Sequence, residues 1–366
     1  MSVVGTYFLY YSIVFFTSML AYFSEFLRKN EARKLGKFIF WIAVLFPALI
    51  AGFRFGIGTD YFSYESIYTR LTTSYLNLFE LISYTRYEPG WIALNLFTDF
   101  VFGEPKFLFV LSATLTWVIF FKAIYNQKNY VSISLAILIL LCTMYNISFN
   151  LVRQTLAMAF LLLSISPLLE KKFWRYIITV LMASMFHFTA LIFLPAYWIV
   201  NSRNEKVAFF KKAMAPIFFI LLIVFIDPIL NLVTSFDAFA AYSTYDLQSG
   251  SFGFGNIIMR LPIFIVIWIN YKKLKMKENP IHRIVVLYFI GVILIHLGYL
   301  APHVNRIAGY YEITQVLILG ALVRVQNNKY EKFMYSYGII IYYVAWFTYN
   351  FLVLGKNETI PYQWIP

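Results

Sequence analysis

Apolar segments long enough to cross a membrane recur along the whole chain, separated by short polar segments. A membrane-spanning helix needs about 20 predominantly apolar residues, and residues 5–27, 38–53 and 131–149 are examples of such segments. The pattern predicts an all-α, polytopic membrane protein that forms one domain over residues 1–366. We expect about ten full spans, together with re-entrant or interfacial helices.

Composition supports this fold class and narrows the possible partners. Of the 366 residues, 13% are charged and 61% are hydrophobic, and the mean hydropathy is +0.71. A soluble domain of this size needs more charged residues to cover its surface. The single cysteine, Cys142, excludes an internal disulfide framework. The formal charge of +13 falls mostly in short loops, which indicates membrane lipids rather than nucleic acid as its partner.

The basic residues also predict how the chain is oriented, because cationic loops face the cytoplasm. Residues 28–37 carry five Lys or Arg residues against the single Glu31. We therefore expect this loop to be cytoplasmic and the N-terminus to be external. The same alternation of basic and other loops predicts that residues 54–88 and 234–256 are external loops and that the C-terminus is external. The other loops predicted to be cytoplasmic contain Lys122 and Lys128, or lie at residues 170–175, 203–212, 272–283 and 324–332.

Two segments must not cross the membrane fully if these basic loops are to stay on one side. Pro89–Phe102 is expected to lie along the outer interface or to re-enter the membrane. Residues 176–200 begin and end at basic loops, so we expect a hairpin of two short helices. Its apex is expected near His187.

Polar residues of unusual type collect at the predicted outer ends of the helices. The segment AGFRFGIGTDYFSY, residues 51–64, places Arg54, a glycine turn and Asp60 where a helix meets water. Further along the chain, Arg153 lies at a second outer turn. Arg306 lies at a third outer turn, between two helices predicted around residues 284–301 and 307–323. Asn150, Arg153 and Gln154 share one helix face, and so do Arg306 and Tyr310.

Each of these residues also has a plain structural interpretation. Arg54 can snorkel from a helix end towards water, and Arg86 and Glu88 can form a surface ion pair. His187 can be a hydrogen-bonded hairpin apex. Glu312 and His296 are expected at similar depths on adjacent antiparallel helices, so they can pair with each other inside the bundle. These interpretations do not explain why three arginines from distant hairpins meet at one surface.

Three arginines with glycines and amides suit a diphosphate ligand, because guanidinium groups bind phosphate oxygens in a bidentate manner. Outer aromatic residues can stack on sugar rings. The sequence contains no metal-binding motif, and we expect neither a metal nor a cofactor. The candidate diphosphate ligands are Arg54, Arg153, Gln154 and Arg306, and the candidate sugar contacts are Tyr61, Tyr64, Trp91, Asn305 and Tyr310.

At these residues the chain resembles the EpsG family, the Wzy-like membrane polymerases of bacterial exopolysaccharide, capsule and O-antigen. The matching elements occur in family order and span nearly the whole chain. They are AGFRFGIGTDYFSY at 51–64, EPGW at 88–91, NLVRQTLAMAF at 150–160, KKFWRY…ASMFHFTALIFLP at 171–195, NR at 305–306 and PYQW at 361–364.

The resemblance implies a GT-C-like helical fold and a glycosyltransferase of the bacterial cytoplasmic membrane. The reaction requires no metal if the arginines supply the positive charge, so we expect the enzyme to be metal-independent. It implies that an undecaprenyl-diphosphate-linked oligosaccharide donates a growing glycan to the terminal sugar of another lipid-linked repeat unit at the external face. A chain-length regulator and a flippase of the same pathway are the implied protein partners. Carried onto this sequence, the resemblance assigns the diphosphate to Arg54, Arg153 and Arg306, with Gln154 in support. The family histidine falls on His187 and the motif aspartate on Asp60.

The reaction itself needs positive charge and a base. The leaving diphosphate gains negative charge in the transition state, so arginines directed at it lower the barrier. A base on the opposite face of the sugar removes the proton of the attacking hydroxyl. The catalytic candidates are His187, Asp60 and Glu88, in that order, because histidine exchanges protons near neutral pH.

Two other functions stay open at this point. A transporter or flippase of lipid-linked oligosaccharide is the first alternative, although such proteins usually bind their substrates near the membrane midplane, within repeated halves. A membrane O-acyltransferase is the second, and it needs a histidine–acid arrangement with access to a cytoplasmic acyl donor. The size of surface polysaccharide in cells that lack the gene distinguishes all three functions.

Overall fold

The computed structural model describes residues 1–202, 254–297 and 302–364, and these residues are nearly all helical. They include no β-strand, and the one strand-like pairing among them is an isolated bridge between Arg54 and Trp364. The predicted external loop at 234–256 lies outside the described residues, except for its last three, which begin a helix. The helices are α1 (Val3–Lys29), α2 (Arg33–Ala43), α3 (Leu45–Gly52), α4 (Tyr61–Thr72), α5 (Leu78–Tyr84), α6 (Pro89–Phe102), α7 (Lys106–Asn126), α8 (Ile133–Met144), α9 (Ile147–Asn150), α10 (Val152–Leu169), α11 (Phe173–Ser184), α12 (Ala196–Asn201), α13 (Phe254–Met276), α14 (Val285–Leu297), α15 (Pro302–Glu312), α16 (Gln315–Arg324) and α17 (Lys329–Phe347). Short 3₁₀ segments at Phe188–Phe193 and Pro280–Ile284 and a π segment at Thr348–Val353 complete the list.

Five helical segments of the described chain are long and apolar enough to cross a membrane. They confirm the expectation of a polytopic membrane protein at the level of fold class. Several shorter apolar helices, among them α8 and α11, pack around them. The five segments are Val3–Lys29, Arg33–Gly52, Lys106–Asn126, Val152–Leu169 and Lys329–Val353.

The bundle has two chemically different ends. One end, here called the basic end, gathers Arg28, Lys37, Lys128 and Arg324 around one pocket. The other, here called the polar end, holds Arg54, Glu88 and Arg153 together with residues 355–364. The described loops that the charge pattern assigns to the cytoplasm lie together at the basic end, where Asn279 donates to the Tyr130 carbonyl and Arg283 donates to the Leu169 carbonyl. The predicted cytoplasmic loop at 203–212 lies outside the described residues.

Two of the predicted helices are interrupted. The second span divides into α2 and α3 at Val44, because Pro47 lies in the first turn of α3. Proline has no N–H to donate to the Ala43 carbonyl, and its ring would clash with that carbonyl in a continuous helix. The helix predicted over residues 307–323 divides into α15 and α16 at residues 313 and 314. This second break leaves Glu312 at a helix end rather than within a helix.

The segment 54–88 was predicted as a loop and contains two helices, α4 and α5. Helix α6 follows them and stays near the polar end. It begins where the Gly90 N–H donates to the Met185 carbonyl at 2.8 Å, and it ends where Phe102 stacks on Phe107 at the start of α7, with 4.5 Å between ring centroids. Helix α6 therefore does not traverse the bundle, in agreement with the charge pattern.

The hairpin predicted at residues 176–200 is confirmed, with α11 as one arm and the 3₁₀ segment and α12 as the other. The Tyr176 hydroxyl donates to the Phe193 carbonyl and joins the two arms. The first arm begins and the second arm ends near the last turn of α10, where the Asn201 amide donates to the Leu168 carbonyl at 3.0 Å. The apex reaches the polar end at His187.

Candidate functional site

Glu88 is the centre of a buried charge cluster at the polar end. Its Oε2 lies 2.5 Å from Arg153 Nη1, and its Oε1 lies 3.1 Å from His187 Nδ1. The Phe188 N–H also donates to Oε1, at 3.4 Å. The Glu88 side chain is 2% exposed, whereas that of Arg153 is 23% exposed. One carboxylate therefore orients a histidine and an arginine from two remote segments.

The motif Glu88-Pro89-Gly90-Trp91 explains how the carboxylate reaches this place. Pro89 occupies the first position of α6, where its lack of an N–H costs nothing. Gly90 lets the helix start against the hairpin apex, since a Cβ there would lie 2.7 Å from the Met185 carbonyl oxygen. Trp91 is fully buried and fixes the orientation of the helix.

The environment of Glu88 keeps it ionised. Burial alone raises the pKa of Glu88, but the hydrogen bond from His187 and the positive charge of Arg153 lower it further than burial raises it, so the pKa lies below its usual value. A carboxylate only accepts hydrogen bonds, so His187 Nδ1 carries the proton that it shares with Glu88. In neutral imidazole the lone pair then resides on Nε2. The predicted surface pair of Arg86 and Glu88 is wrong, because Glu88 is buried against Arg153 and His187 while Arg86 is exposed.

Aromatic residues surround the guanidinium of Arg153. Its Cζ lies 5.6 Å from the centroid of the Tyr87 ring, and Tyr64 is close enough for the two side chains to interact. Tyr64 packs edge-on against Trp91, with 5.4 Å between their centroids. Arg153 therefore has fixed neighbours on several sides and part of its surface open.

Arg54 has a different environment, with an exposed fraction of only 1%. Its terminal nitrogens donate to the carbonyls of Ala51 and Phe149, the latter at 3.0 Å. Its Cζ lies 4.8 Å from the Phe109 ring centroid and 4.9 Å from that of Phe149. Burial lowers the pKa of Arg54 to about 10, so it stays charged at neutral pH. Arg54 therefore holds helix ends together and does not snorkel to water.

The glycine turn after Arg54 packs against the last described residues of the chain. Gly58 has a φ of +93°, and a Cβ there would overlap the Asn150 side-chain oxygen. The Asn150 amide donates to the Asn357 carbonyl at 3.0 Å, and the Phe55 N–H donates to the Gln363 carbonyl at 2.9 Å. Glycine is required here by both the backbone conformation and the close approach.

Gln154 and Arg306 meet at the edge of a cavity. The Gln154 amide donates to the Arg306 carbonyl at 2.8 Å, and its own Oε1 is buried without a hydrogen-bond partner among the described residues. The side chains of Asn305 and Arg306 are exposed. All three residues line a cavity of about 300 Å³, whose walls also include Arg260, Glu312, Gln315, Tyr343 and Trp346.

The deep wall of this cavity carries an ion pair that the sequence did not predict. Arg260 Nε lies 2.5 Å from Glu312 Oε1 and its Nη2 lies 3.1 Å from Oε2, so the pair is bidentate. The Arg260 guanidinium also lies 5.5 Å from the centroid of the Trp346 ring. The expected pairing of Glu312 with His296 is therefore wrong, and His296 Nδ1 instead lies 2.5 Å from the Val292 carbonyl.

Most of the predicted sugar contacts are buried. Tyr61, Tyr64 and Trp91 belong to one hydrophobic cluster and are at most 6% exposed. Tyr61 stacks on Phe109 with 4.3 Å between centroids. The fourth aromatic candidate, Tyr310, is fully buried, and its hydroxyl lies 2.6 Å from Thr189 Oγ1. In this arrangement these four rings form the walls of the polar end and present no face to water.

Asp60 lies at the start of α4, half-buried, and its Oδ1 accepts a hydrogen bond from Thr59 at 3.0 Å. It is close enough to Tyr64 for its charge to act on that phenol. Among the residues that the structure describes, no group of three or more His, Cys, Asp or Glu side chains is arranged to hold a metal ion.

Sequence reasoning missed three features of this end. The first is that Glu88 joins Arg153 to His187, although each of them had been singled out separately. The second is the Arg260–Glu312 pair, for which an arginine and a glutamate within apolar helices were the available signal. The third is the position of residues 355–364 against Arg54, although their PYQW motif had been noted.

Comparison with known proteins identifies one family that the chain matches. The model of the EpsG family matches residues 37–364, which is most of the chain. That range includes the residues of the Glu88 cluster, Arg54 and the lining of the cavity. No curated protein and no solved structure matches the chain.

Proposed function

The chain belongs to the EpsG family, a family of glycosyltransferase-like polymerases in polysaccharide synthesis, and we propose that it polymerises lipid-linked repeat units. The donor is an oligosaccharide on a polyprenyl diphosphate, and the acceptor is the terminal sugar of a second lipid-linked unit. The reaction takes place at the polar end, on the external face of the cytoplasmic membrane. The product is O-antigen, capsule or exopolysaccharide.

The observation that carries the proposal is the contact of Glu88 with both His187 and Arg153. A base and a cation from two remote hairpins are held by one buried carboxylate. Group transfer to a hydroxyl with an anionic leaving group needs both functions at one place. The cavity lined by Gln154, which follows Arg153 in the chain, and by Arg306 supplies room for a sugar.

In the proposed step, His187 Nε2 removes the proton of the acceptor hydroxyl. The hydroxyl oxygen then forms a bond to C1 of the donor sugar, while the bond between C1 and the diphosphate oxygen breaks. Glu88 is a positioning residue, because it fixes the ring of His187 and stabilises the imidazolium that forms. General base catalysis of this kind contributes about 10²–10⁴-fold to the rate.

Arg153 and Arg306 stabilise the departing diphosphate, with Gln154 holding the backbone of Arg306 in place. Arg153 is partly exposed, and the Arg306 side chain is exposed and lines the cavity. Arg54 serves the site indirectly, since its terminal nitrogens already donate to backbone carbonyls. It holds α3 against the segment that precedes Arg153.

The proposed sugar site is the cavity bounded by Asn305, Gln154 and the Arg260–Glu312 pair. Amide, guanidinium and carboxylate groups suit the hydroxyls of a sugar, and the Trp346 ring provides an apolar wall. The volume of about 300 Å³ lies at the small end of the range for ligand sites. We therefore expect it to hold one sugar residue of the acceptor or donor.

The test is complementation of cells that lack the gene, with surface polysaccharide sized on a gel. We expect His187→Ala and Arg153→Ala to lower the amount of long polymer at least 10²-fold and to leave single repeat units on the surface. Both residues act on the transition state, so the loss persists when the variant is overproduced. The matched controls are His282→Ala, at the basic end, and Arg70→Ala, which is exposed on α4.

Polymer of normal length from both site variants would contradict the proposal. A complete loss of surface repeat units, rather than of polymer length, would instead indicate a flippase. Asp60→Asn separates the two base candidates. If Asp60→Asn abolishes polymer and His187→Ala does not, the base is Asp60 and the assignment of His187 is wrong.

A further inference from the structure

A large pocket at the basic end is lined almost entirely by cations. Its volume is about 610 Å³, and seven of its ten lining residues are Lys or Arg. They come from the end of α1, the start of α2, the loop after α7 and the end of α16. They are Arg28, Lys29, Arg33, Lys34, Lys37, Lys128 and Arg324, and the other three are Glu25, Tyr125 and Asn129.

The one carboxylate in this lining, Glu25, is already engaged. Its Oε2 accepts the Ile133 N–H at 3.0 Å and the Ser132 hydroxyl at 3.3 Å, so it caps the start of α8. Its Oε1 lies 3.3 Å from Arg324 Nη1. The negative charge of Glu25 therefore serves the helix end and Arg324, and six further cations share the pocket.

These cations lie close to one another, and their contacts favour the binding of an anion. Arg28 Cζ lies 5.2 Å from the centroid of the Tyr125 ring, and Lys128 Nζ lies 4.5 Å from the same centroid. Arg28 Nη1 is buried and has no hydrogen-bond partner among the described residues. Partial burial, followed by the charges of Arg28, Lys122 and Lys37, lowers the pKa of Lys128. The cations thus repel one another, and a bound anion would relieve that repulsion.

An apolar cleft continues from the pocket along the side of the bundle. It lies between α1, α8 and α17, has a volume of about 690 Å³, and shares Glu25 and Lys29 with the basic pocket. One stripe of α1, from Phe15 through Tyr22 to Lys29, forms its floor. That stripe is roughly 21 Å long at ~1.5 Å per residue, compared with ~15 Å for half of the hydrocarbon core of a bilayer.

We propose that the pocket and the cleft together form a binding site for one anionic phospholipid. The phosphate headgroup lies among Arg28, Lys37 and Lys128, and an acyl chain lies along α1 in the cleft. Guanidinium and ammonium groups bind phosphate oxygens, and basic pockets between membrane helices recognise such headgroups. The shared boundary at Glu25 and Lys29 favours a lipid over a soluble phosphate, because a soluble anion leaves the cleft unused.

The lining residues come from four separate segments of the chain, so a bound lipid holds these segments together and stabilises the folded protein. The test measures the melting temperature of the purified full chain in a neutral detergent, with added lipid. We expect phosphatidylglycerol to raise the melting temperature by about 3–6 °C at saturation. Phosphatidylcholine, which has no net charge, is expected to raise it by less than a third of that amount. Inorganic diphosphate at matched ionic strength tests the headgroup alone.

Two variants address the two parts of the site. The triple variant Arg28→Gln, Lys37→Gln and Lys128→Gln removes the cations, and Ser336→Trp fills the cleft. In both, the rise caused by phosphatidylglycerol is expected to fall at least threefold. The triple variant without lipid is expected to melt no lower than the original protein, because removing these charges relieves repulsion. The matched control, Lys272→Gln with Lys275→Gln and Lys277→Gln, removes three charges elsewhere at the same end and keeps the full rise.

Each other result overturns the proposal. An equal rise in the triple variant and in its control would show that Arg28, Lys37 and Lys128 do not bind the headgroup. An equal rise with phosphatidylcholine would exclude recognition of the headgroup charge. A rise with inorganic diphosphate as large as that with phosphatidylglycerol, unaffected by Ser336→Trp, would assign the pocket to a soluble anion.

Discussion

At the polar end, the buried Glu88 faces Arg153 and His187, whereas at the basic end seven cations share one pocket with Glu25. The first arrangement fixes each charge in one geometry, with the carboxylate 2% exposed. The second leaves long, flexible side chains around an open space. Paired and buried charges suit a site in which bonds are made and broken. Cations that outnumber the carboxylates around a pocket suit the capture of a preformed anion.

The strongest test of this comparison is Glu88→Gln. It leaves the Arg153 charge buried without its carboxylate, which costs about 3–5 kcal/mol in the free energy of unfolding. It also releases His187, so polymer formation is expected to fall at least 10²-fold. The measurements are thermal unfolding in detergent and polysaccharide sizing. The matched control is Glu104→Gln, whose carboxylate lies 2.5 Å from Lys106 Nζ but is 54% exposed.

The control is expected to change stability by less than about 0.5 kcal/mol, because exposed ion pairs contribute little. If Glu88→Gln unfolds at the same temperature as Glu104→Gln, then burial does not distinguish the two pairs. The comparison between the ends would then lose its physical basis.

Arg54→Met tests whether buried cations at the polar end are structural or catalytic. The carbonyls of Ala51 and Phe149 lose a charged donor, and the expected cost is about 2–4 kcal/mol. Activity per folded molecule is expected to stay within about threefold of the original. Thermal unfolding and polymer yield, corrected for the amount of folded protein, separate the two effects. Arg70→Met is the control. Unchanged stability with lost activity would return Arg54 to the set of diphosphate ligands.

The smallest expected effect is on the stability of the protein at acidic pH. The pKa of Glu88 is lowered in the folded protein, so its contribution to stability is present above the unfolded value of about 4.3. That contribution is lost as the pH falls through the lower, folded value. We expect the melting temperature of the original protein to fall more steeply below about pH 4.5 than that of Glu88→Gln. Parallel curves would show that Glu88 does not gain its charge pairing on folding.

The long helices and the hairpin could be predicted because their signals are local. Runs of apolar residues define a span without knowledge of its neighbours. The positions of the basic loops then predicted that the hairpin apex lies near His187 and that α6 does not cross the bundle. Breaks within helices were harder to predict, since Pro47 was visible but the division of residues 307–323 depends on packing.

The partners within the site could not be predicted in the same way. Glu88 binds Arg153, 65 residues away, and His187, 99 residues away, whereas the sequence left open a surface ion pair with the nearby Arg86. The aromatic residues gave a similar error. Tyr61 and Trp91 have the right chemistry for stacking on sugars, but the same rings also fill hydrophobic cores. The residue type shows which interactions a side chain can make, and only the fold shows which of these interactions it does make.

The loop at Arg54 receives part of its support from residues synthesised much later. The Gly58 N–H donates to the Glu358 carbonyl at 3.2 Å, and the Phe55 N–H donates to the Gln363 carbonyl at 2.9 Å. About 300 residues separate these partners, and a ribosome needs roughly 15–60 s to add them at 5–20 residues per second. During that time the loop lacks its closing contacts. The polar end therefore gains these closing contacts only after translation has passed residue 363.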